Sequence, residues 1–182
     1  MKHTILILAL ALLTSPAVAT PDARDGAHDF DFARGAFHTH IRRLDQPLTG
    51  STTWLTYDGV KSDMPLFSGS AGSLEQIEAD GPSHLEFITV RLYNARSHQW
   101  SLNFAASGSN ALETSMVGEF HGGIGTFLSE EDFNGRTILV RQIWTPMTPN
   151  TYHFEQAFSP DFGATWETNF IADLTRTQPV AR

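Results

Sequence analysis

The sequence predicts an all-β protein built as a single antiparallel up-and-down barrel of about ten strands. Apolar and polar residues alternate along most of the chain from Asp29 onward, and Gly, Asn, Asp, Ser or Pro interrupts the pattern at short intervals. This alternation places one face of each strand against a core and the other toward water. Short strands separated by regular turns are typical of β-sandwiches and barrels. No shift in composition marks a second domain.

The first expected strand shows the pattern clearly, because Phe37, Thr39 and Ile41 alternate with His and Arg. The complete set of expected strands is 35–44, 50–58, 62–68, 73–79, 84–93, 97–106, 115–121, 124–132, 136–145, 150–158 and 165–174. We expect the eleventh segment to merge with a neighbour, which leaves about ten strands.

Two local patterns refine this assignment. Ser73-Leu74-Glu75-Gln76 has the spacing of a helical capping box, and Gly81 suits the position just past a helix end. Because such a short segment makes a poor isolated helix, we assign it to a strand. Asn134-Gly135 predicts a tight hairpin turn, since both residues tolerate positive φ.

The N-terminus has the order of a secretory signal peptide: basic Lys2, an apolar run over residues 5–13, and the cleavage pattern Ala17-Val18-Ala19. The run is too short to cross a bilayer core, which needs about 20 residues. We therefore predict a signal peptide over 1–19, cleavage after Ala19, and a secreted or periplasmic protein. Residues 20–28 are expected to form a flexible leader, 29–176 the barrel domain and 177–182 a flexible tail.

Composition excludes several classes of function. The chain has no cysteine, so disulfides and thiolate metal sites are ruled out. Its 20 acidic residues outnumber 12 Lys and Arg, and the net charge of −8 argues against nucleic acid as a partner. We expect no membrane span and no cofactor, and the oligomeric state stays open.

Several motifs carry a resemblance to known proteins. Asp29-Phe30-Asp31-Phe32, followed by Gly35 and Phe37, resembles the opening of calycin-like barrels, with Phe37 where their Trp stands. The later motifs are Pro47-Leu48-Thr49-Gly50-Ser51-Thr52-Thr53-Trp54, Arg91-Leu92-Tyr93-Asn94, Gln99-Trp100-Ser101-Leu102-Asn103-Phe104-Ala105 and Phe154-Glu155-Gln156-Ala157-Phe158-Ser159. Together, from Asp29 to Arg176, they resemble an exported bacterial family of unknown function related to the DUF1579 group. The resemblance implies a lipocalin-like or fatty-acid-binding-protein-like barrel and no catalytic residues.

The segment from Ser159 to Trp166 resembles the Asp-box of sialidases and other glycan-active propellers. A propeller repeats its blades, whereas this chain holds one copy and is too short for six blades. We therefore interpret Ser159, Asp161, Gly163 and Trp166 as a structural turn in a hairpin. The Asp would accept hydrogen bonds from the turn, and the Gly would supply its backbone angle.

His38 and His40 lie two residues apart on one face of the first strand, a workable spacing for two metal ligands. No third ligand is identified by local spacing. Surface histidines are the favoured interpretation, and a metal site is the weaker alternative.

The remaining candidates are aromatic and charged residues on the strands. Aromatic rings with polar tips suit the wall of a ligand pocket, although they also fill barrel cores. Inward-pointing Arg and Glu would suit an anionic ligand or acid–base chemistry, whereas outward ones would form ordinary cross-strand pairs. The candidate ligand-binding residues are Trp54, Tyr57, Arg91, Tyr93, Trp100, Arg141, Trp144, Tyr152 and Glu155.

Three functions remain open from the sequence. The leading hypothesis is an exported barrel that binds a small apolar or amphipathic molecule. The second is a small barrel enzyme that uses inward Arg91, Arg141 and Glu155 for acid–base chemistry, and the third is a structural or interaction module with a filled core. No catalytic residue is assigned, since the common enzyme motifs do not occur.

Overall fold

The computed structural model describes residues 25–69, 71–109 and 111–177. The signal peptide expected over 1–19, residues 20–24 of the expected leader, and residues 178–182 of the expected tail lie outside the described residues. Among the described residues, none of the helices has the length and apolar character needed to span a bilayer.

Ten strands form a closed barrel in which each strand pairs antiparallel with its chain neighbours and the first pairs with the last. They are β1 (Gly35–Leu44), β2 (Trp54–Pro65), β3 (Gly72–Asp80), β4 (His84–Asn94), β5 (Gln99–Ala106), β6 (Met116–His121), β7 (Ile124–Phe133), β8 (Arg136–Thr148), β9 (Thr151–Ser159) and β10 (Glu167–Arg176). Two short 3-10 helices cover Asp31–Ala33 and Phe67–Gly69. The predicted all-β, up-and-down barrel of about ten strands is confirmed.

The expected merger of strands occurs in a different place. The segments expected at 50–58 and 62–68 form the single strand β2, whereas β10 stays separate from β9. Gly59, which falls in the gap between these two expected strands, lies inside β2 opposite Thr39 and Ala79. A Cβ there would lie 2.1 Å from the Glu78 carbonyl oxygen, so glycine permits close approach of two strands rather than a turn.

The two ambiguous local patterns form as expected. Residues Ser73 to Gln76 belong to β3, in which Ser73 and Glu75 face the interior. Asn134 and Gly135 join β7 to β8 with φ values of 56° and 77°, as a tight hairpin with two positive φ angles requires. The Gly135 amide also donates a hydrogen bond of 3.0 Å to Asp132 Oδ1.

One end of the barrel is filled by the segment that precedes β1. Phe30 is 2% exposed and packs against the rings of Trp100, Phe120, Phe127 and Trp144, with ring centroids 4.9–5.6 Å apart. Such edge-to-face and offset contacts add to the energy of burial. We call residues 26–34 the plug, and this end of the barrel the closed end.

Polar side chains from the strands hold the plug in place. Trp100 Nε1 donates to the Gly26 carbonyl at 2.9 Å, and the Gly26 amide donates to the Tyr93 hydroxyl at 2.9 Å. Lys61 Nζ donates to the Ala33 carbonyl, and Arg176 donates to the carbonyls of Phe32 and Arg34. Gly26 lies within the expected leader, so the packed part of the chain begins before Asp29.

The hairpin between β9 and β10 is closed by side-chain hydrogen bonds. Asp161 Oδ1 accepts from the Thr165 amide and from Ser159 Oγ, both at 2.8 Å, and Asp161 Oδ2 accepts from Thr165 Oγ1 at 2.6 Å. Gly163 has φ +93°, and its amide donates to Ser159 Oγ at 2.7 Å. Trp166 Nε1 donates to the Gly163 carbonyl at 3.1 Å.

Candidate functional site

The half of the barrel opposite the plug contains a cavity of about 830 Å³. Its mouth lies at the end where β1, β5, β7 and β9 finish. Large apolar side chains from β4, β5, β6, β7, β9 and β10 form its wall: Leu85, Phe87, Leu102, Phe104, Met116, Phe133, Phe154, Phe158 and Phe170. A cavity of this volume with a mainly apolar wall is typical of small-molecule sites.

Aromatic contacts tie the cavity wall to the filled half. Phe154 lies 5.8 Å from Phe170 and 4.7 Å from Trp144 between ring centroids, and Trp144 belongs to the core around the plug. Phe87 lies 5.2 Å from Phe104 on the neighbouring strand. The interior is therefore continuous, with the rings around Phe30 ending where the cavity begins.

One side of the open half carries a chain of amides. Gln142 Nε2 donates to Gln156 Oε1 at 3.2 Å, and Gln156 Nε2 donates to Asn169 Oδ1 at 3.2 Å. Gln156 lines the cavity, and Asn169 occupies the irregularity in β10 between Thr168 and Phe170. Asn169 is 2% exposed, and its Nδ2 has no hydrogen-bond partner among the described residues. These amides give the apolar wall a polar point.

Two carboxylates line the cavity near its mouth. Glu131 points inward from β7, and Ser129 Oγ donates to its Oε1 at 2.8 Å. Glu113 lies in the connection from β5 to β6, where its amide donates to the Phe104 carbonyl at 2.8 Å. Burial raises the pKa of both carboxyls, and the negative charge of Glu131 raises the pKa of Glu113 further.

The cationic side chains of the mouth are Arg43 and His84. His84 Nδ1 lies 2.9 Å from Asp80 Oδ1, and its hydrogen bond to that carboxylate raises the pKa of His84. Arg43 places its guanidinium 5.9 Å from the ring centroid of Tyr57.

A second polar cluster lies in the filled half, sealed from water. Arg91 donates to both Asp63 and Glu75, and Lys61 Nζ lies 3.6 Å from Glu75 and 4.0 Å from Asp63. Ser73 Oγ adds a 3.1 Å hydrogen bond to Asp63 Oδ2. Two positive and two negative charges balance, as buried charges require. We call Lys61, Asp63, Glu75 and Arg91 the buried ion quartet.

Burial dominates the titration of the quartet. It lowers the pKa of Lys61 from 10.5 to about 8 and raises the pKa of Asp63. The guanidinium of Arg91 stacks against the rings of Phe30 and Trp144, at 4.6 and 4.7 Å from their centroids. The quartet therefore joins the plug to three strands.

None of the nine candidate ligand-binding residues lines the cavity. Five are buried inside the barrel, Tyr93 points inward and holds the plug, and the other three lie on the outer face. The buried five are Tyr57, Arg91, Trp100, Trp144 and Tyr152, and the outer three are Trp54, Arg141 and Glu155.

The acid–base cluster considered from the sequence does not assemble. Arg141 stacks its guanidinium 4.3 Å from the ring centroid of Trp166 on the outside, and Glu155 Oε1 accepts from Thr168 Oγ1 at 2.8 Å on the outer face. Only Arg91 points inward, where Asp63 and Glu75 balance its charge. Sequence reasoning missed these partners because a carboxylate at an alternating position looks the same facing in or out.

The two histidines considered as metal ligands lie on the exposed outer face of β1. His40 Nδ1 lies 2.7 Å from Asp58 Oδ1 on β2. Across residues 25–69, 71–109 and 111–177, no group of three His, Asp or Glu side chains is arranged to hold a metal ion.

Sequence reasoning also missed the phenylalanines that form the cavity wall. It favoured Trp and Tyr, whose polar tips suit ligand recognition, whereas the cavity contains Phe87, Phe104, Phe133, Phe154, Phe158 and Phe170. The available signal was their position, because Phe154 and Phe158 fall on the inward parity of β9.

Fold and site define the class of this protein: a closed ten-stranded up-and-down barrel, filled at one end and hollow and apolar at the other. No family model and no curated protein matches the chain. Among solved structures, it aligns with EF1p2_mFAP2b bound to DFHBI at 6% sequence identity and a TM-score of 0.44, covering 84% of this chain and 99% of that chain. A likeness of this size carries no argument about family or ligand.

Proposed function

We propose that this protein binds a small apolar or amphipathic molecule in the open half of its barrel. The observation that carries the proposal is the cavity of about 830 Å³. Nine large apolar side chains line it, and transfer of an apolar ligand from water onto such a wall is favourable in proportion to the area buried. Gln156 and the mouth carboxylates supply the few polar groups that orient a ligand.

Binding fits the interior better than catalysis does. The strongest cluster of titratable groups, the buried ion quartet, is sealed beneath the plug and neutral overall. A substrate in the cavity would be separated from Arg91 by Trp144 and Phe154. In this proposal Arg91, Trp100, Trp144 and Tyr152 form the supporting floor of the site rather than its contact surface.

We further propose that the protein is exported, with cleavage after Ala19, and binds its ligand outside the cytoplasm. The basic start, the short apolar run and the Ala17-Val18-Ala19 pattern support export. The relation to the exported family near the DUF1579 group belongs to the same proposal and rests on the motifs between Asp29 and Arg176. Intact mass of protein from a periplasmic extract tests export, with a chain that begins at Thr20 as the expected result. A chain that retains Met1 in the cytoplasm contradicts it.

Titration with N-phenyl-1-naphthylamine, a neutral apolar dye that fluoresces in apolar surroundings, tests binding. Ala106→Trp places an indole in the cavity, because Ala106 lines it at the inward end of β5. Ala105→Trp is the matched control, since Ala105 faces outward on the same strand. We expect saturable dye binding by the wild type and by Ala105→Trp, and its loss in Ala106→Trp. Absence of saturable binding by the wild type, or equal binding by both variants, would reject the cavity as the site.

A further inference from the structure

The mouth of the cavity is unevenly charged. Two carboxylates, Glu113 and Glu131, line the cavity with one inward-facing Arg, Arg43, whereas Glu86, Asp132 and His84 border its rim from outward-facing positions of their strands. Glu131 is half-buried beside the apolar wall, where its charge is screened less than in open water. The open half therefore carries an electrostatic preference as well as an apolar one.

Local hydrogen bonds already engage part of this set. Asp132 accepts a hydrogen bond from the Gly135 amide and closes the β7–β8 hairpin. His84 is hydrogen-bonded to Asp80 on the surface. Glu131 accepts a hydrogen bond from Ser129 Oγ, and neither Glu113 nor Glu131 forms an ion pair with any residue in the described part of the chain. Both nevertheless line the cavity.

Two unpaired carboxylates at an apolar surface are costly for the protein alone. Burial penalises the charge of each carboxylate and raises its pKa, and the negative charge of Glu131 raises the pKa of Glu113 further. A positive charge placed between them would relieve the repulsion and replace lost hydration. An anionic head group would meet the opposite, since like charges in a poorly screened site repel.

Both glutamates neighbour residues whose aromatic rings line the cavity. The Glu113 amide is bonded to the carbonyl of Phe104, and Phe133 is the next inward residue after Glu131 on β7. A cation over an aromatic face gains about 0.5–1 kcal/mol at exposed sites, so the same place offers carboxylates and ring faces. Beyond it, Phe154, Phe158 and Phe170 line the space for an apolar tail.

We propose that the ligand is a cationic amphiphile, an amine or ammonium with an apolar tail, whose head lies at Glu113 and Glu131 and whose tail lies along the phenylalanine wall. This inference rests on the proposed binding function and specifies its ligand class. A fatty acid held by Arg43 is the rival occupant, and the test separates the two by the sign of the head group.

Displacement of N-phenyl-1-naphthylamine by three ligands with the same twelve-carbon tail tests the inference: dodecyltrimethylammonium, dodecanol and dodecanoate, each below its aggregation concentration. We expect the ammonium to bind about 10-fold or more tightly than dodecanoate at pH 7.5 and low salt, with dodecanol between them. Equal or tighter binding of dodecanoate overturns the inference.

Variants then locate the head group. Glu131→Gln and Glu113→Gln should each weaken ammonium binding several-fold and leave dodecanol unchanged. Glu130→Gln is the matched control, because Glu130 faces outward on β7, and it should change neither ligand. Glu113 lies in a connection rather than a strand, so its variant serves if Glu131→Gln fails to fold. An unchanged ratio of ammonium to dodecanol affinity in the folded variants overturns the inference.

The outcomes also separate this inference from the function on which it rests. If none of the three ligands displaces the dye and the dye itself does not bind, both the binding function and the ligand class are wrong. If dodecanol binds but the head-group charge makes no difference, the binding function stands and the cationic class is wrong.

Discussion

Arg91 donates a hydrogen bond to Glu75 inside the barrel, and neither side chain is more than 2% exposed. Asp63 and Lys61 complete the charge balance, so the interior holds a neutral set of four ionised groups. Arg91 depends on its two carboxylate partners, because removing one of them leaves buried positive charge uncompensated in a medium that solvates it poorly.

Glu75→Gln should destabilise the protein by about 3–5 kcal/mol, the usual cost of breaking a buried ion pair. The change leaves Arg91 and Lys61 with one carboxylate between them. Urea denaturation followed by circular dichroism measures the difference in free energy of unfolding. Glu78→Gln on the same strand is the control, since Glu78 faces outward and is 57% exposed. Equal midpoints for the two variants would show that the quartet contributes nothing to stability.

Lys61 should make stability rise with pH in the alkaline range. Its folded pKa of about 8 lies below the unfolded value of 10.5, so the unfolded chain binds more protons between these values and raising the pH favours the folded state. Below pH 8 the cost of burying the charge is fully present. Above pH 10 the raised pKa of Tyr152 works in the opposite direction, because its phenol ionises first in the unfolded chain.

Between pH 7 and 9.5, the free energy of unfolding of the wild type should increase by about 2 kcal/mol more than that of Lys61→Met, since each pKa unit represents roughly 1.36 kcal/mol. Denaturation curves at several pH values measure the increase. The Lys61→Met variant is the reference, because its pH dependence comes from the other titrating groups. Parallel pH profiles of the two proteins would show that Lys61 titrates normally.

Asp161→Ala should lower the melting temperature, because Asp161 accepts three hydrogen bonds from Ser159 and Thr165. The Thr165 bonds hold the pKa of Asp161 below 3.8, so this contribution is complete above that pH and is lost as the pH falls through the folded pKa. Thermal unfolding at pH 7 measures it. Phe162→Ala is the control, since Phe162 is 75% exposed in the same turn. Identical melting of Asp161→Ala and wild type would mean that the turn is held by other contacts.

Binding of dodecyltrimethylammonium should weaken as the pH falls from 7.5 toward 4.5. The pKa values of Glu113 and Glu131 are raised above 4.5, so both carboxyls lose their charge earlier than free glutamate does, whereas the ligand keeps its own. Arg43 and His84 also lie at the mouth, and the acidic side chains of Glu86 and Asp132 border it. The double variant Glu113→Gln/Glu131→Gln therefore serves as the reference, and it should flatten the pH profile. A profile that keeps its slope in the double variant would assign the effect to the other groups.

The strands were predictable because alternation is a local property. Phe37, Thr39 and Ile41 mark the inward face of β1 without any knowledge of its partners. The Asn134-Gly135 turn was predictable for the same reason, since positive φ is a property of the residues themselves. The expected break between strands 50–58 and 62–68 does not occur, because a glycine such as Gly59 can either open a turn or admit a neighbouring strand, and only its partner, here Ala79, decides between the two.

The site was less predictable, because alternation shows which residues face the interior but not where along the barrel axis they lie. Trp100 and Phe104 share the inward face of β5, yet Trp100 packs on the plug and Phe104 lines the cavity. Their difference comes from register against β4 and from the entry of Phe30 into one end only. Sequence position cannot supply either.

The sequence by itself determined an all-β chain with about ten alternating strands, no disulfides and an acidic surface, since these follow from composition and from a period of two. Tertiary structure alone decided the closure of β1 on β10, the assembly of Lys61, Asp63, Glu75 and Arg91, and the cavity beside Glu113 and Glu131. These features depend on contacts between residues far apart in the chain. Closure of the sheet determines which inward side chains lie at the same position along the barrel axis. Because the plug fills one end, the other end is left free for a ligand.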